Sequence, residues 1–367
     1  MNAIAARLAL AASAVACLVA AVLGGLARLG VPLEVPMAAA NHGAIMTGGF
    51  LGTVVSLERA IALGRPYGFG APLCAALGAL LLVAGVREAG LVVESAAPLF
   101  LLAVGIDLAR RQLQAHIVLL AVASIAWAVG NFANLAGAAP DVPAAWWFAF
   151  LVLTIAAERL EMTRLMKRPA IALPLFLAAV ALVLLGAAIS FARADAGGIV
   201  FGAGLAALAA WLAAFDLARR TVHTEGFARY AAVALLAGYA WLAIGGIAWA
   251  LMSASDPAWR DAALHALGLG FVFSMILAHA PVVFPVIAKR RMRFSAFFYV
   301  PLALLHASLI LRLAAPRMSL TIREWGGLAN AAAILAFAGT LAWALSRSTA
   351  TGTRPTTTSE QPRRQRE

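Results

Sequence analysis

Twelve stretches of about 20 mostly apolar residues limit what this chain can fold into more than any other feature. That length, wound as a helix, crosses the hydrocarbon core of a bilayer. The stretches cover 4–26, 37–63, 69–86, 91–108, 115–135, 144–160, 171–191, 199–217, 227–252, 262–287, 297–315 and 328–345, numbered here helix 1 to helix 12. Unbroken apolar runs predict helices, because outer-membrane strands would alternate apolar and polar residues. Charged residues make up only 12% of the chain, about half the share of a soluble domain. The predicted class is an all-α polytopic membrane protein, with one transmembrane domain over 1–346. The Thr- and Arg-rich stretch 347–367 predicts a disordered, basic cytoplasmic tail.

The net charge of +12 follows topology rather than a nucleic-acid surface. Loops after even-numbered helices carry fifteen lysines and arginines, among them Arg59, Arg65, Arg110, Arg111, Arg168 and Arg293. Loops after odd-numbered helices carry seven: Arg28, Arg87, Arg193, Arg260, Arg312, Arg317 and Arg323. Cationic loops stay in the cytoplasm, so both termini are expected there, with the chain in a bacterial inner membrane. The lipid bilayer is the expected partner. Residues 1–26 read as helix 1 rather than a cleaved signal, because no clear cleavage site precedes a soluble domain. Cys17 and Cys74 stand alone inside helices and form no CxxCH motif, which argues against covalent haem attachment.

Short segments recur four helices apart. Asp107-Leu108-Ala109-Arg110-Arg111 closes helix 4, and Asp216-Leu217-Ala218-Arg219-Arg220 closes helix 8. Glu58-Arg59 closes helix 2 and Glu158-Arg159 closes helix 6. Three parallel units of four helices, arranged as arcs about an axis normal to the membrane, are the expected architecture. The acids have a structural reading, pairing with nearby arginines at the interface, and a proton-relay reading.

Four histidines fall within apolar helices: His42, His265, His279 and His306. Helices 2 and 10 run in the same direction, and His42 and His265 each lie in the first turns, within roughly 10 Å of the outer boundary. These are matching members of the first and third units. Two neutral imidazoles at one depth suit a haem iron, whose porphyrin supplies four nitrogens. Gly49, with its neighbours on helix 2, gives room either for a flat ring or for a packed helix. His279 follows His265 by fourteen residues, about 21 Å along the helix and on nearly the same face. Paired with His306 it would hold a second haem; alternatively, it bonds a carbonyl freed by a proline, Pro281 or Pro285. Arg312, Arg317 and Arg323 are candidates for haem propionates or ordinary interfacial anchors.

The sequence resembles haem–copper oxidase subunit I, a family of twelve helices in three arcs whose low-spin haem is held from helices 2 and 10. It also looks like the NnrS group, a haem-containing relative linked to nitric oxide tolerance. The likeness rests on His42, Gly43, Met46, Gly49 and Phe50, and on His265, Ala266, Leu267 and Gly270. The resemblance implies haem b on His42 and His265, with propionates near the arginines after helix 11. It does not extend to copper: helices 6 and 7 contain no histidine, which argues against an oxidase-type copper site and dioxygen reduction. Two functions stay open. One is a haem-b membrane protein for electron transfer or diatomic-gas handling, served by an electron-donor protein or quinol. The other is a metal-free transporter or channel.

Overall fold

The computed structural model describes residues 3–164, 166–252, 257–288, 292–314 and 319–347. Among these every regular element is helical. Twelve helices among the described residues are long and apolar enough to cross a membrane. They are Ala5–Arg28, His42–Leu63, Pro66–Val83, Arg87–Arg111, Ala115–Leu135, Asp141–Met162, Ala172–Ile189, Ala194–Phe215, Gly226–Leu251, Trp259–Pro285, Ala296–Ala314 and Thr321–Ser346, and they keep the numbers 1 to 12. The tail after 347 and the cations Lys289, Arg290 and Arg291 lie outside the described residues.

Local chemistry moves several helix ends from the positions hydropathy predicts. Helix 2 is expected from residue 37, but a separate turn occupies Pro36–Ala40 and the span begins at His42. Asn41 makes the break: its amide donates to the Met37 carbonyl at 3.0 Å, and its backbone leaves the helical region. Helix 12 starts earlier than expected, because the Ser319 hydroxyl accepts from the Thr321 N–H at 3.2 Å and caps it. Arg323 therefore sits in the first turn of helix 12 and Arg312 in the last turn of helix 11, rather than in a loop. At the other end of helix 2, Gly64 takes φ +69° and bonds the Ala60 carbonyl, a left-handed cap that a side chain would strain.

Each helix packs on its neighbours in sequence, and helix 1 touches helix 12, so the chain closes on itself. Helices 2, 6 and 10 are the most enclosed. In their most apolar stretch 67%, 72% and 67% of residues are buried, against at most 56% in any other span. The most buried helices thus recur at the four-helix spacing of the sequence repeat. Small residues let backbones approach: a Cβ on Gly246 of helix 9 would stand 2.7 Å from the Gly202 carbonyl of helix 8.

The repeated acids anchor the face that carries the even-numbered loops. Arg59 of helix 2 bonds Glu158 of helix 6. Arg159, next in sequence, makes two bonds to the buried Asp216 carboxylate, at 2.8 and 3.0 Å. Asp107, the counterpart of Asp216, is held in the open by Arg111 and by the Tyr67 hydroxyl, both at 2.9 Å. The two acids match in sequence but differ in partner: Asp216 ties helix 8 to helix 6, and Asp107 ties helix 4 to helix 3.

Candidate functional site

The site lies at the opposite face, where helices 2 and 10 begin. His42 is the first residue of its span. Its Nδ1 stands 2.7 Å from the Ala21 carbonyl of helix 1, and its ring packs against Gly25, where a Cβ would come within 3.0 Å. A carbonyl only accepts, so Nδ1 carries the proton and Nε2 keeps a free lone pair. His265 is arranged alike. Its Nδ1 lies 3.0 Å from the Asp261 carbonyl and 3.0 Å from the Asp261 carboxylate. Both are acceptors, so Nδ1 again bears the proton, and the nearby Arg312 donor at 3.4 Å adds only charge. An imidazole whose Nδ1–H is tied to a carboxylate is the usual outer support of a metal-ligating histidine. The two side chains lie within electrostatic range of each other.

The backbone beyond each histidine departs from an α-helix in the same way. A π-helical segment occupies Ile45–Gly52 after His42 and Ala266–Val272 after His265. Such segments are rare and cluster at functional sites. Phe50 and Phe273, each eight residues beyond its histidine, meet with ring centroids 6.0 Å apart. They bring helices 2 and 10 into contact about two turns beyond the histidines. Helix 6 forms a side wall: a Cβ on Gly43 would meet the Trp147 ring at 3.3 Å, and one on Gly268 would meet Phe148 at 3.9 Å. The Trp147 indole is fixed by Asn131 at 2.8 Å, and Asn131 in turn bonds the Glu94 carbonyl at 3.0 Å.

Arginines gather at the mouth. Arg312 grips Asp261 with two bonds, at 2.9 and 3.3 Å, and Arg323 approaches the same carboxylate at 3.7 Å. Arg28 lies within electrostatic range of His42. Three guanidinium groups thus collect at the mouth, two of them on one carboxylate. Arg312 orients Asp261, a task the propionate expectation did not include. Arg323 keeps a buried Nε without a hydrogen-bond partner among the described residues. Arg317 lies outside the described residues.

The remaining expected residues fall elsewhere. A Cβ on Gly49 would run into Ala79 of helix 3 and meet the Cys17 sulfur at 3.1 Å, so this glycine serves packing among helices 1, 2 and 3. His279 bonds the Met275 carbonyl at 2.8 Å. The carbonyl that Pro281 frees, that of Leu277, is taken by the Tyr230 hydroxyl at 3.2 Å, which corrects the proline explanation of His279. His306 accepts from the Trp241 indole at 2.9 Å through Nδ1, so its proton sits on Nε2, opposite to the other three histidines.

Asp261 and Glu94 escape the sequence reading. Asp261 is visible in principle as an acid four residues before His265. Glu94 is an acid in the apolar run of helix 4; it is 2% exposed, and its Oε1 finds no hydrogen-bond partner among the described residues. Gly48 of the first π segment lies directly against that carboxyl.

A family model described as a domain of unknown function (DUF8744) matches residues 7–346. No curated protein and no solved structure matches the chain.

Proposed function

We propose that this chain, which belongs to the DUF8744 family, is a haem-b-binding integral membrane protein in which His42 and His265 supply the axial imidazoles. The observation that carries the reading is the matched pair. Each histidine lies within the first two turns of one of two parallel central helices, holds its Nδ1–H on an acceptor, leaves Nε2 free and is followed by a π-helical segment. Among the described residues no three His, Cys, Asp or Glu side chains gather as a metal site. A structural zinc takes four protein ligands, whereas a porphyrin brings four nitrogens and needs only two.

When bound, haem would supply one-electron chemistry or a site for a diatomic gas such as nitric oxide. The residues of the chain prepare the place. Asp261 and the Ala21 carbonyl fix the imidazole tautomers, and Arg312 fixes Asp261. Phe50, Phe273, Trp147 and Phe148 supply apolar walls, and Arg323 and Arg28 offer charge for propionates. His279 and His306 are not carried forward as a second pair, because their tautomers differ. This reading places both termini in the cytoplasm of a bacterial inner membrane, by the positive-inside rule. It implies an electron-donor protein or quinol as partner, and a relationship to the NnrS group. An oxidase-type copper site is not part of it.

Haem content tests the reading. Full-length protein purified from haem-replete membranes is expected to yield one haem b per chain by the pyridine haemochrome assay; protein that is folded and haem-free would overturn it. One observation favours a metal-free transporter instead: the buried Glu94 carboxyl, whose Oε1 has no hydrogen-bond partner among the described residues, since ionisable groups within a membrane often mark ion pathways. Substrate-dependent flux in haem-free vesicles, abolished by Glu94→Gln, would establish that alternative.

A further inference from the structure

A second site lies at the far face, between the loops that follow helices 4 and 6. A cavity of about 430 Å³ is lined there by Gln114, His116, Arg164 and Arg168, with Leu160 and Leu173 among its apolar walls. Arg168 is held in place by stacking: its guanidinium lies 5.0 Å from the centre of the Trp211 ring, and the Trp211 indole is fixed to the Ala172 carbonyl at 2.6 Å. Its Nε and Nη2 are buried and have no hydrogen-bond partner among the described residues.

That edge of a guanidinium is the one that forms a two-point grip on an oxyanion. Two other enclosed arginines use it so, whereas Arg59 and Arg323 leave only Nε without a partner among the described residues. Arg159 places Nε and Nη2 on Asp216, and Arg312 places the same two atoms on Asp261. Asp216, the acid nearest in charge to Arg168, is already engaged by Arg159 and by the Ala218 N–H at 2.7 Å. Burial lowers the Arg168 pKa from its ordinary value, with Asp216 opposing the shift. An added anion would relieve that penalty. The acid beside the pocket, Glu161, stands 3.7 Å from His116, leaving Arg164 and Arg168 as the cations of the lining.

We propose that this pocket binds a phosphate-bearing anion, gripped by the Nε/Nη2 edge of Arg168 and flanked by Arg164 and His116. A phosphate matches both the fork and the excess positive charge. The position at a bilayer boundary and the apolar walls suit a lipid headgroup; basic pockets between helices on the positively charged side recruit anionic headgroups. A soluble phosphate would satisfy the same donors.

Thermal unfolding of the full-length protein in a neutral detergent tests this. The probes are dioctanoyl phosphatidylglycerol, inorganic phosphate, and dioctanoylglycerol, which has the same chains without phosphate. A saturable rise in Tm with phosphatidylglycerol alone assigns a lipid headgroup, and a rise with inorganic phosphate assigns a soluble anion. In either case Arg168→Gln is expected to weaken the apparent affinity by about tenfold or more. Arg164→Gln, at an exposed side chain that leaves the Trp211 stack intact, is expected to weaken it as well. Arg219→Gln, in the next loop of the same face, should leave it unchanged. An equal rise with dioctanoylglycerol, no rise with either phosphate probe, or wild-type affinity in both pocket variants would overturn the proposal.

Discussion

The smallest determinants at the histidine site are protons on ring nitrogens. His42 and His265 keep Nε2 unprotonated only because an acceptor holds each Nδ1–H, and for His265 that acceptor is Asp261. Asp261 is itself clamped by Arg312, and both side chains are about nine-tenths buried. Asp261→Asn removes the carboxylate and leaves the Arg312 charge enclosed, which costs about 3–5 kcal/mol. The expected result is a clear fall in thermal stability, together with a 10–100-fold loss of haem retention of the kind that outer-support residues produce. Unchanged retention would show that Asp261 does not orient His265. The histidines themselves are legible from the sequence, since polar residues in apolar runs stand out. Their partners are not. The Ala21 carbonyl carries no sequence signal, and Arg312 reads as a surface cation until the structure places it on Asp261.

At the level of elements, hydropathy finds the number and order of the helices but not their irregularities. The break at Asn41 comes from one side-chain hydrogen bond. The early start of helix 12 comes from a serine cap ahead of a charged first turn, which an apolar window passes over. The π segments at Ile45–Gly52 and Ala266–Val272 leave no period in the sequence to be read. Their glycines are placed by contact rather than by flexibility. A Cβ on Gly270 would come within 2.6 Å of the Trp241 Cβ, so Gly270→Ala is expected to cost about 1–3 kcal/mol through overpacking. Gly339 of helix 12 has nothing among the described residues within 4 Å of a Cβ, so Gly339→Ala should be neutral or stabilising by about 0.5–1 kcal/mol. Denaturation in detergent compares the two; equal effects would contradict this account of the π segment as closely packed.

For the whole molecule, the four-helix repeat carries the most information. Helices 2, 6 and 10, related by that repeat, are the most enclosed, and two of them present the histidines. The repeat is readable from Asp107 and Asp216 in the sequence, yet their different partners show how far the units have diverged. Twelve spans among the described residues put the start of helix 1 and the end of helix 12 on one face, so reporters fused to either end are expected to be accessible from the same side; opposite accessibility would contradict the helix count. The central claim, that helices 2 and 10 together hold one haem through His42 and His265, is tested most directly by the reduced-minus-oxidised absorption spectrum of the purified protein and its variants. The account predicts a haem-b Soret difference band that disappears in both His42→Ala and His265→Ala and persists in His279→Ala. A folded, haem-replete preparation without that band, or a band unchanged by either of the first two substitutions, would contradict it.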